Sequence, residues 1–225
     1  MLRAVIADEF RQLPRRLGGM KGALLLAAMI ALGTLPVYRF GITFLDPLIL
    51  LAYSCFAVLF ASAFVVRSFA EGTQTDFVND RDWVLGKVLA ATIYGWLAFA
   101  MILGVALGTL RRAPSPPALL SIALVAFCLS FAISGLGALA ALSSYSPGSA
   151  SQMLRLGFFF VLLCLIGASR FAPQSWRDFG WGLLAGRAFM RTMLMLSALC
   201  VLIGVAGIGK SIGVLKDRRT GLSIL

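Results

Sequence analysis

Few side chains in this chain could do chemistry, and the acidic ones are most concentrated in one polar stretch. The 225 residues include no histidine, four cysteines and nine carboxylates. The absence of histidine excludes a histidine base, histidine metal sites and histidine ligation of haem. The stretch from residue 67 to residue 87 holds four of the nine carboxylates: Glu71, Asp76, Asp80 and Asp82. This stretch is therefore the strongest candidate for binding a partner through charge.

The cysteines predict packing and no metal or disulfide chemistry. All four lie in hydrophobic stretches without a paired spacing, and buried free cysteine behaves as a small apolar side chain. We therefore expect no metal site and no cofactor. The residues concerned are Cys55, Cys128, Cys164 and Cys200.

The composition is that of an integral membrane protein. Hydrophobic residues make up 60% of the chain and charged residues 13%, whereas about 25% of residues are charged in a soluble domain. The mean hydropathy is +0.94. The formal charge of +11 does not point to nucleic acid, because the basic residues separate the hydrophobic stretches and do not gather on one soluble domain.

The hydrophobic stretches predict an all-α protein with a single transmembrane domain over residues 1–225. Crossing a bilayer takes roughly 20 apolar residues in a helix. Residues 46 and 47, Asp-Pro, are a typical helix start, with a capping side chain and proline at the first helical position. The predicted spans are six: 22–38, 47–66, 84–110, 118–142, 153–170 and 191–209.

Two segments outside the spans are expected at the membrane surface. Residues 1–20 predict an interfacial amphipathic helix, because Leu2, Ile6 and Phe10 fall on one stripe at about 100° per residue. Residues 171–190 are half-polar and aromatic, which predicts a re-entrant segment on the external side. Basic residues of the first segment are expected to bind the anionic headgroups of membrane lipid: Arg3, Arg11, Arg15 and Arg16.

Residues 67–83, named the coupling segment, form the polar connection between the second and third predicted spans. Six spans put this segment on the same side as both termini. Thirteen basic residues then lie on that side and seven on the other, which favours cytoplasmic N- and C-termini by the positive-inside rule. Trp83 and Lys87 are expected at the interface, with the lysine extending toward the headgroups.

Small residues predict close helix contacts within the spans. Gly104 and Gly108 form a G-x-x-x-G that lets another helix approach. Ser130, Ser134 and Gly137 recur at helical spacing, which indicates either helix packing or a surface along a transport pathway.

Three local sequences, together with this architecture, resemble the ABC-2 type permeases of ABC exporters. Phe69-Ala70-Glu71-Gly72-Thr73 is followed by polar residues and then by Leu85-Gly86-Lys87 at the start of the third span. This order is similar to the family's glutamate, glycine-threonine and glycine-lysine around its coupling helix. The sequence GLGALAALSS, residues 135–144, is similar to the end of the family's fourth span.

The resemblance implies a permease subunit in the cell (inner) membrane that works as a homodimer or as a heterodimer with a second permease. It implies that the chain is not an enzyme, carries no nucleotide-binding motif, and depends on ATP hydrolysed by a separate ABC ATPase subunit. The residues expected to contact that ATPase are Glu71, Gly72, Thr73, Asp76, Asp80, Arg81, Asp82 and Lys87.

Two other functions stay open at the level of sequence. The chain could be a non-transporting structural or assembly subunit of a membrane complex. An intramembrane enzyme would need polar catalytic groups at membrane depth. No carboxylate or lysine falls in the middle of a predicted span, which disfavours the enzyme.

Overall fold

Five helices make up the described part of the protein. The structure is a computed structural model that describes residues 1–16, 28, 47–71, 79–108, 116–144, 149, 152 and 186–219. No strand occurs within these ranges. The helices are α1 (Leu2–Arg16), α2 (Pro47–Glu71), α3 (Asp80–Gly108), α4 (Pro116–Ser143) and α5 (Gly186–Arg219).

Three of these helices are long and apolar enough to cross a membrane. The candidate spans are Asp80–Val105 with 26 residues, Leu119–Ser143 with 25 and Met190–Asp217 with 28. The prediction of an all-α protein with helices long and apolar enough to span a membrane is confirmed for the described residues. The predicted spans at 22–38, except for residue 28, and at 153–170 lie outside the described residues, as does the predicted re-entrant segment 171–190 up to residue 185.

The helix starts follow local sequence signals. α2 begins at Pro47, as the sequence predicts. Asn79 precedes α3, and its side-chain oxygen accepts a hydrogen bond of 3.3 Å from the backbone N–H of Arg81, as an N-cap does. Asp80 and Asp82 lie in the first turn of α3, where negative charge stabilises the positive end of the helix dipole.

Both ends of the coupling segment are helical. α2 continues to Glu71, beyond the predicted span at 47–66. α3 starts at Asp80, ahead of the predicted span at 84–110. Helical backbone satisfies its own hydrogen bonds, so a helix can extend beyond the apolar part of a span. Residues 72–78 lie outside the described part of the chain.

α2 and α3 form an antiparallel hairpin. The rings of Phe69 and Trp83 meet edge to face, with their centroids 5.1 Å apart. Farther along the hairpin, the rings of Phe64 and Tyr94 lie 5.0 Å apart. A Cβ added at Gly95 would lie 2.6 Å from the backbone carbonyl oxygen of Ala57. The glycine therefore allows the two backbones to approach closely.

α4 packs on the hairpin and on α5. The indole Nε1 of Trp96 on α3 donates a hydrogen bond of 3.0 Å to the carbonyl of Ala123 on α4. The Trp96 ring also contacts Phe127, with the two centroids 6.5 Å apart. Because the indole N–H is paired and its ring is packed, Trp96 holds the hairpin against α4 inside an apolar environment.

α4 and α5 run parallel over much of their length. Ser121 on α4 contacts Met190 near the start of α5, and Gly135, farther along α4, contacts Gly204 and Gly207, farther along α5. A Cβ added at Gly135 would lie 2.5 Å from the Gly204 carbonyl oxygen. The glycines therefore allow the closest backbone approach between these two helices.

Large apolar side chains cover the outside of the described helices, as expected for a protein in lipid. Several buried hydroxyls donate to carbonyls of their own helix; Thr92, for example, donates to the carbonyl of Val88 at 2.8 Å. The exposed apolar residues include Leu97, Met101, Val105, Leu120, Leu124, Phe127, Leu194, Met195, Leu199, Leu202 and Val205.

Candidate functional site

A buried polar cluster lies at the closed end of the α2–α3 hairpin, where α1 packs on it. The cluster consists of Glu9 from α1, Ser68 from the last turn of α2 and Lys87 from the second turn of α3. The Lys87 Nζ lies 2.9 Å from the Glu9 Oε1, and the two side chains are only 2% and 4% exposed. One ion pair therefore connects three helices away from solvent.

The hydrogen bonds of the cluster close into a ring. The Ser68 hydroxyl donates to the Glu9 Oε2 at 2.8 Å and accepts from the Lys87 Nζ at 3.2 Å. The same Nζ donates to the backbone carbonyl of Ser68. A lysine ammonium has three N–H donors, and these three acceptors match them. The buried charges are therefore both paired and hydrogen-bonded, which is the condition under which burial of charge is tolerated.

The carbonyl of Ser68 gives Lys87 a second role. The last four carbonyls of a helix lack the amide partner of a following turn. Ser68 lies among them, since α2 ends at Glu71. A cation at this position also matches the negative end of the helix dipole. Lys87 therefore caps α2 while it neutralises Glu9.

Two aromatic rings surround the ammonium. The Lys87 Nζ lies 4.9 Å from the centroid of the Trp83 ring and 5.5 Å from that of the Phe69 ring. Both distances are within the range of cation–π attraction. The sequence predicted Trp83 and Lys87 at the lipid interface, with the lysine extending toward the headgroups. The structure instead buries both side chains in the protein, because the carboxylate of α1 provides the counter-charge there.

The apolar side of α1 faces protein. A Cβ added at Gly86 on α3 would lie 2.6 Å from a methyl carbon of Val5 and 3.7 Å from Leu2. Phe10 packs against the main hydrophobic core. The sequence predicted this side of α1 to lie in the headgroup layer. The structure shows two residues of that side, Leu2 and Phe10, in contact with protein, while Val5 lies beside the stripe and against Gly86.

Two of the four basic residues predicted to bind lipid headgroups lie at the surface of α1. The side chains of Arg3 and Arg11 are exposed. Arg15 and Arg16 belong to the last turn of the helix. Their binding to lipid stays a prediction.

The residues predicted to contact an ATPase divide into several groups. Arg81 is exposed and Asp82 is partly exposed, so both are accessible at the start of α3. Asp80 and Lys87 are buried. Their side chains are therefore not accessible to a partner and contribute to packing within the hairpin. Glu71 ends α2. Three further predicted residues lie outside the described part of the chain: Gly72, Thr73 and Asp76.

The small residues singled out by spacing behave in two ways. Ser130, Ser134 and Gly137 are buried in α4, as expected for a packing surface. Gly104 and Gly108 are exposed, and a Cβ added at either would have no described atom within 4 Å. Among the described residues, the close glycine contacts are instead made by Gly86, Gly95, Gly135, Gly204 and Gly207.

One segment of α5 corrects an expectation about nucleotide binding. Residues 204–211, GVAGIGKS, match the pattern G-x-x-x-x-G-K-[ST] of a phosphate loop. The expectation that the chain carries no such motif is therefore wrong at the level of sequence. The motif binds phosphate only as a loop whose backbone N–H groups are free. Here it lies inside a continuous helix, Gly204 and Gly207 pack against α4, and the Ser211 hydroxyl donates to the Gly207 carbonyl at 2.7 Å. In this conformation the segment packs helices and forms no phosphate loop.

Glu9 and Ser68 are the residues of the cluster that the sequence analysis missed. A signal for Glu9 was present, because at about 100° per residue it lies about 20° from the edge of the apolar stripe of α1. A carboxylate so close to an apolar stripe needs a buried partner or an exit to water. Ser68 gave no such signal.

The chain matches no protein-family model, no curated protein and no solved structure. The arrangement itself limits the chemistry of the site. Each charged or hydroxyl group of the ring is engaged by another, so the cluster offers no free base or nucleophile. Among the described residues, no three histidine, cysteine or carboxylate side chains are grouped to hold a metal ion. What the structure shows is that the cluster connects α1, α2 and α3 through buried polar bonds.

Proposed function

We propose that this chain is the transmembrane permease subunit of an ABC-2 type ABC exporter, driven by ATP hydrolysed in a separate ATPase subunit. The observation that carries the proposal is the construction of the hairpin end. α2 and α3 continue as helices to Glu71 and Asp80, and the Glu9–Ser68–Lys87 ring braces them against α1. A segment that receives force from a partner must transmit it to rigid helices. The coupling segment meets this requirement because its two ends belong to α2 and α3.

The proposed topology has six spans in the cell (inner) membrane, with both termini and the coupling segment in the cytoplasm. The parallel course of α4 and α5 supports it. Two helices that cross a membrane in the same direction require an odd number of crossings between them, and the predicted span at 153–170 would supply one. The contacts of Glu9 with Ser68 and Lys87 support placing α1 on the side of the coupling segment.

The energy source is assigned to another polypeptide. The phosphate-loop pattern of residues 204–211 lies within α5, where helical hydrogen bonds engage the backbone N–H groups that would otherwise bind phosphate. The exposed Arg81 and the partly exposed Asp82, together with Glu71 and Asp76, form the proposed contact with the ATPase. The permease acts as a dimer, with itself or with a second permease.

Purification of the tagged, full-length chain from its native membrane tests the proposal. We expect an ATPase with its own phosphate loop to co-purify and to hydrolyse ATP in the complex. Reversing Glu71, Asp76 and Asp82 to lysine should detach it. Asp80 is left in place because it is buried, so its reversal would disturb the start of α3. Reversal of Asp217, an exposed carboxylate near the end of α5, is the control.

Two results would count against the proposal. If the triple variant retained the ATPase, the coupling segment would lose its assigned role. If the wild-type chain retained no ATPase at all, the chain would be better explained as a structural or assembly subunit of a membrane complex.

A further inference from the structure

We infer that the ring of Glu9, Ser68 and Lys87 joins α1 to the end of the α2–α3 hairpin as one rigid unit, in which Glu9 and Lys87 are positioning residues for the coupling segment. The inference rests on the proposed function for its consequence in transport. The joint itself is a property of the chain alone.

The ring touches both sides of the coupling segment at once. Ser68 lies in its first residues, within the last turn of α2, and Lys87 follows it on α3. A displacement of either helix end would therefore stretch at least one bond of the ring. Glu9 bonds to both Ser68 and Lys87, so α1 follows whichever of the two moves.

Separation of α1 from the hairpin would leave charge buried without its partner. Lys87 is enclosed by the hairpin as well as by α1, with Phe69 and Trp83 beside it. If Glu9 left, the ammonium would keep its two contacts with Ser68 but lose the carboxylate of Glu9. Removing one member of a buried ion pair is strongly unfavourable, so electrostatics as well as packing holds α1 on the hairpin.

The contact beside the ring prevents sliding of α1 along α3. A Cβ added at Gly86 would meet both Cβ and a methyl carbon of Val5, at 2.8 and 2.6 Å. Side chains on the neighbouring turns of α3 would meet α1 if it shifted along the helix. Two adjacent contacts of different kinds, one polar and one steric, therefore fix α1 in a single position.

Distance measurements between spin labels test the inference. Nitroxides are placed at Ala7 on α1 and Ala70 on α2, both exposed, in a full-length chain whose four cysteines are replaced by alanine. The chain is studied in lipid nanodiscs without any ATPase, so a negative result is separate from failure of the proposed function. We expect a single narrow distance distribution for this chain and its loss in Lys87→Met.

Two further variants separate electrostatics from general damage. Glu9→Gln with Lys87→Met removes both charges together, and we expect it to regain much of the narrow peak because no charge is left unpaired. Lys210→Met, the same change at an exposed lysine of α5, should leave the peak unchanged.

A second label pair at Leu120 and Met195, both exposed on α4 and α5, reports whether the rest of the chain is folded. If Lys87→Met broadens this pair too, Glu9→Gln alone takes its place, since it leaves the contacts of Lys87 with Ser68 intact. A narrow Ala7–Ala70 peak in the single variant would overturn the inference. A double variant as broad as the single one would do the same.

Discussion

The Nζ of Lys87 lies 2.9 Å from the Oε1 of Glu9, and both side chains are almost completely buried. Lys87 belongs to the second turn of a candidate transmembrane helix, and Glu9 belongs to an amphipathic helix at the N-terminus. The burial of an unpaired ion costs several kcal/mol. Each charge of the pair therefore offsets part of the cost of burying the other. The pair links the N-terminal helix to the start of α3.

Removing one charge of this pair should destabilise the protein more than removing both. We expect Lys87→Met to cost about 3–5 kcal/mol of unfolding free energy, because it removes one member of a buried ion pair and leaves the Glu9 carboxylate without the Lys87 ammonium. The double variant Glu9→Gln, Lys87→Met should cost clearly less. Reversible unfolding in detergent measures the unfolding free energies of the wild type, Lys87→Met, Glu9→Gln and the double variant, with Lys210→Met as control. Additive costs in the double variant would contradict a direct ion pair.

The Ser68 hydroxyl should contribute through two bonds. It donates to Glu9 and accepts from Lys87, so Ser68→Ala removes two hydrogen bonds to buried charged groups. We expect a cost of about 1–3 kcal/mol. Ser62, which bonds only a carbonyl of its own helix in the described structure, is the matched control, and Ser62→Ala should change stability little. Equal losses of unfolding free energy at the two positions would contradict a contribution of the ring to stability.

The contact of Gly86 with Val5 predicts a rescue. Gly86→Ala places a methyl group where Val5 already lies, so we expect a cost of about 1–3 kcal/mol from overpacking. Val5→Ala in the same chain should recover part of it by opening space. Gly104→Ala, on the same helix but facing open space, should be neutral or stabilising by about 0.5–1 kcal/mol through helix propensity. Loss of stability in Gly104→Ala would indicate that another helix approaches there.

The closest approach of α4 and α5 should tolerate no side chain. A Cβ at Gly135 would meet the carbonyl oxygen and the Cα of Gly204 at 2.5 and 3.0 Å, and backbone atoms cannot rotate away as a flexible side chain can. Gly135→Ala should therefore lower the unfolding free energy by about 1–3 kcal/mol. Gly209→Ala, on α5 with no described atom near the added carbon, is the control. A tolerated Gly135→Ala would contradict the close parallel contact.

The sequence predicted the class of fold and one helix start well. Long apolar stretches make spans because lipid cannot satisfy a free backbone, and Pro47 begins α2 as its position after Asp46 predicted. The lengths of the helices were less predictable. Apolarity marks only the part of a helix inside lipid, whereas α2 and α3 continue into the polar coupling segment, where α3 starts behind the cap of Asn79.

The partners of individual side chains were not predictable from spacing alone. Lys87 fitted an interfacial lysine equally well until Glu9 was placed beside it, and that contact depends on how α1 packs. Gly104 and Gly108 fitted a helix contact by spacing, but the described contacts fall on other glycines. The pattern at residues 204–211 fitted a phosphate loop letter by letter and lies within a helix. In each case the local pattern is compatible with more than one structure, and the packing of the helices determines which one forms.

The side of the membrane that holds the coupling segment tests the proposed transport role most directly. The measurement uses Ala70→Cys, exposed in the last turn of α2, in a chain whose own cysteines are replaced by alanine. A membrane-impermeant thiol reagent is applied to intact cells and to inside-out vesicles. We predict labelling in inside-out vesicles and none in intact cells, because a cytoplasmic ATPase must reach this segment. Labelling of intact cells from outside would contradict the proposal, since no such ATPase could then make contact.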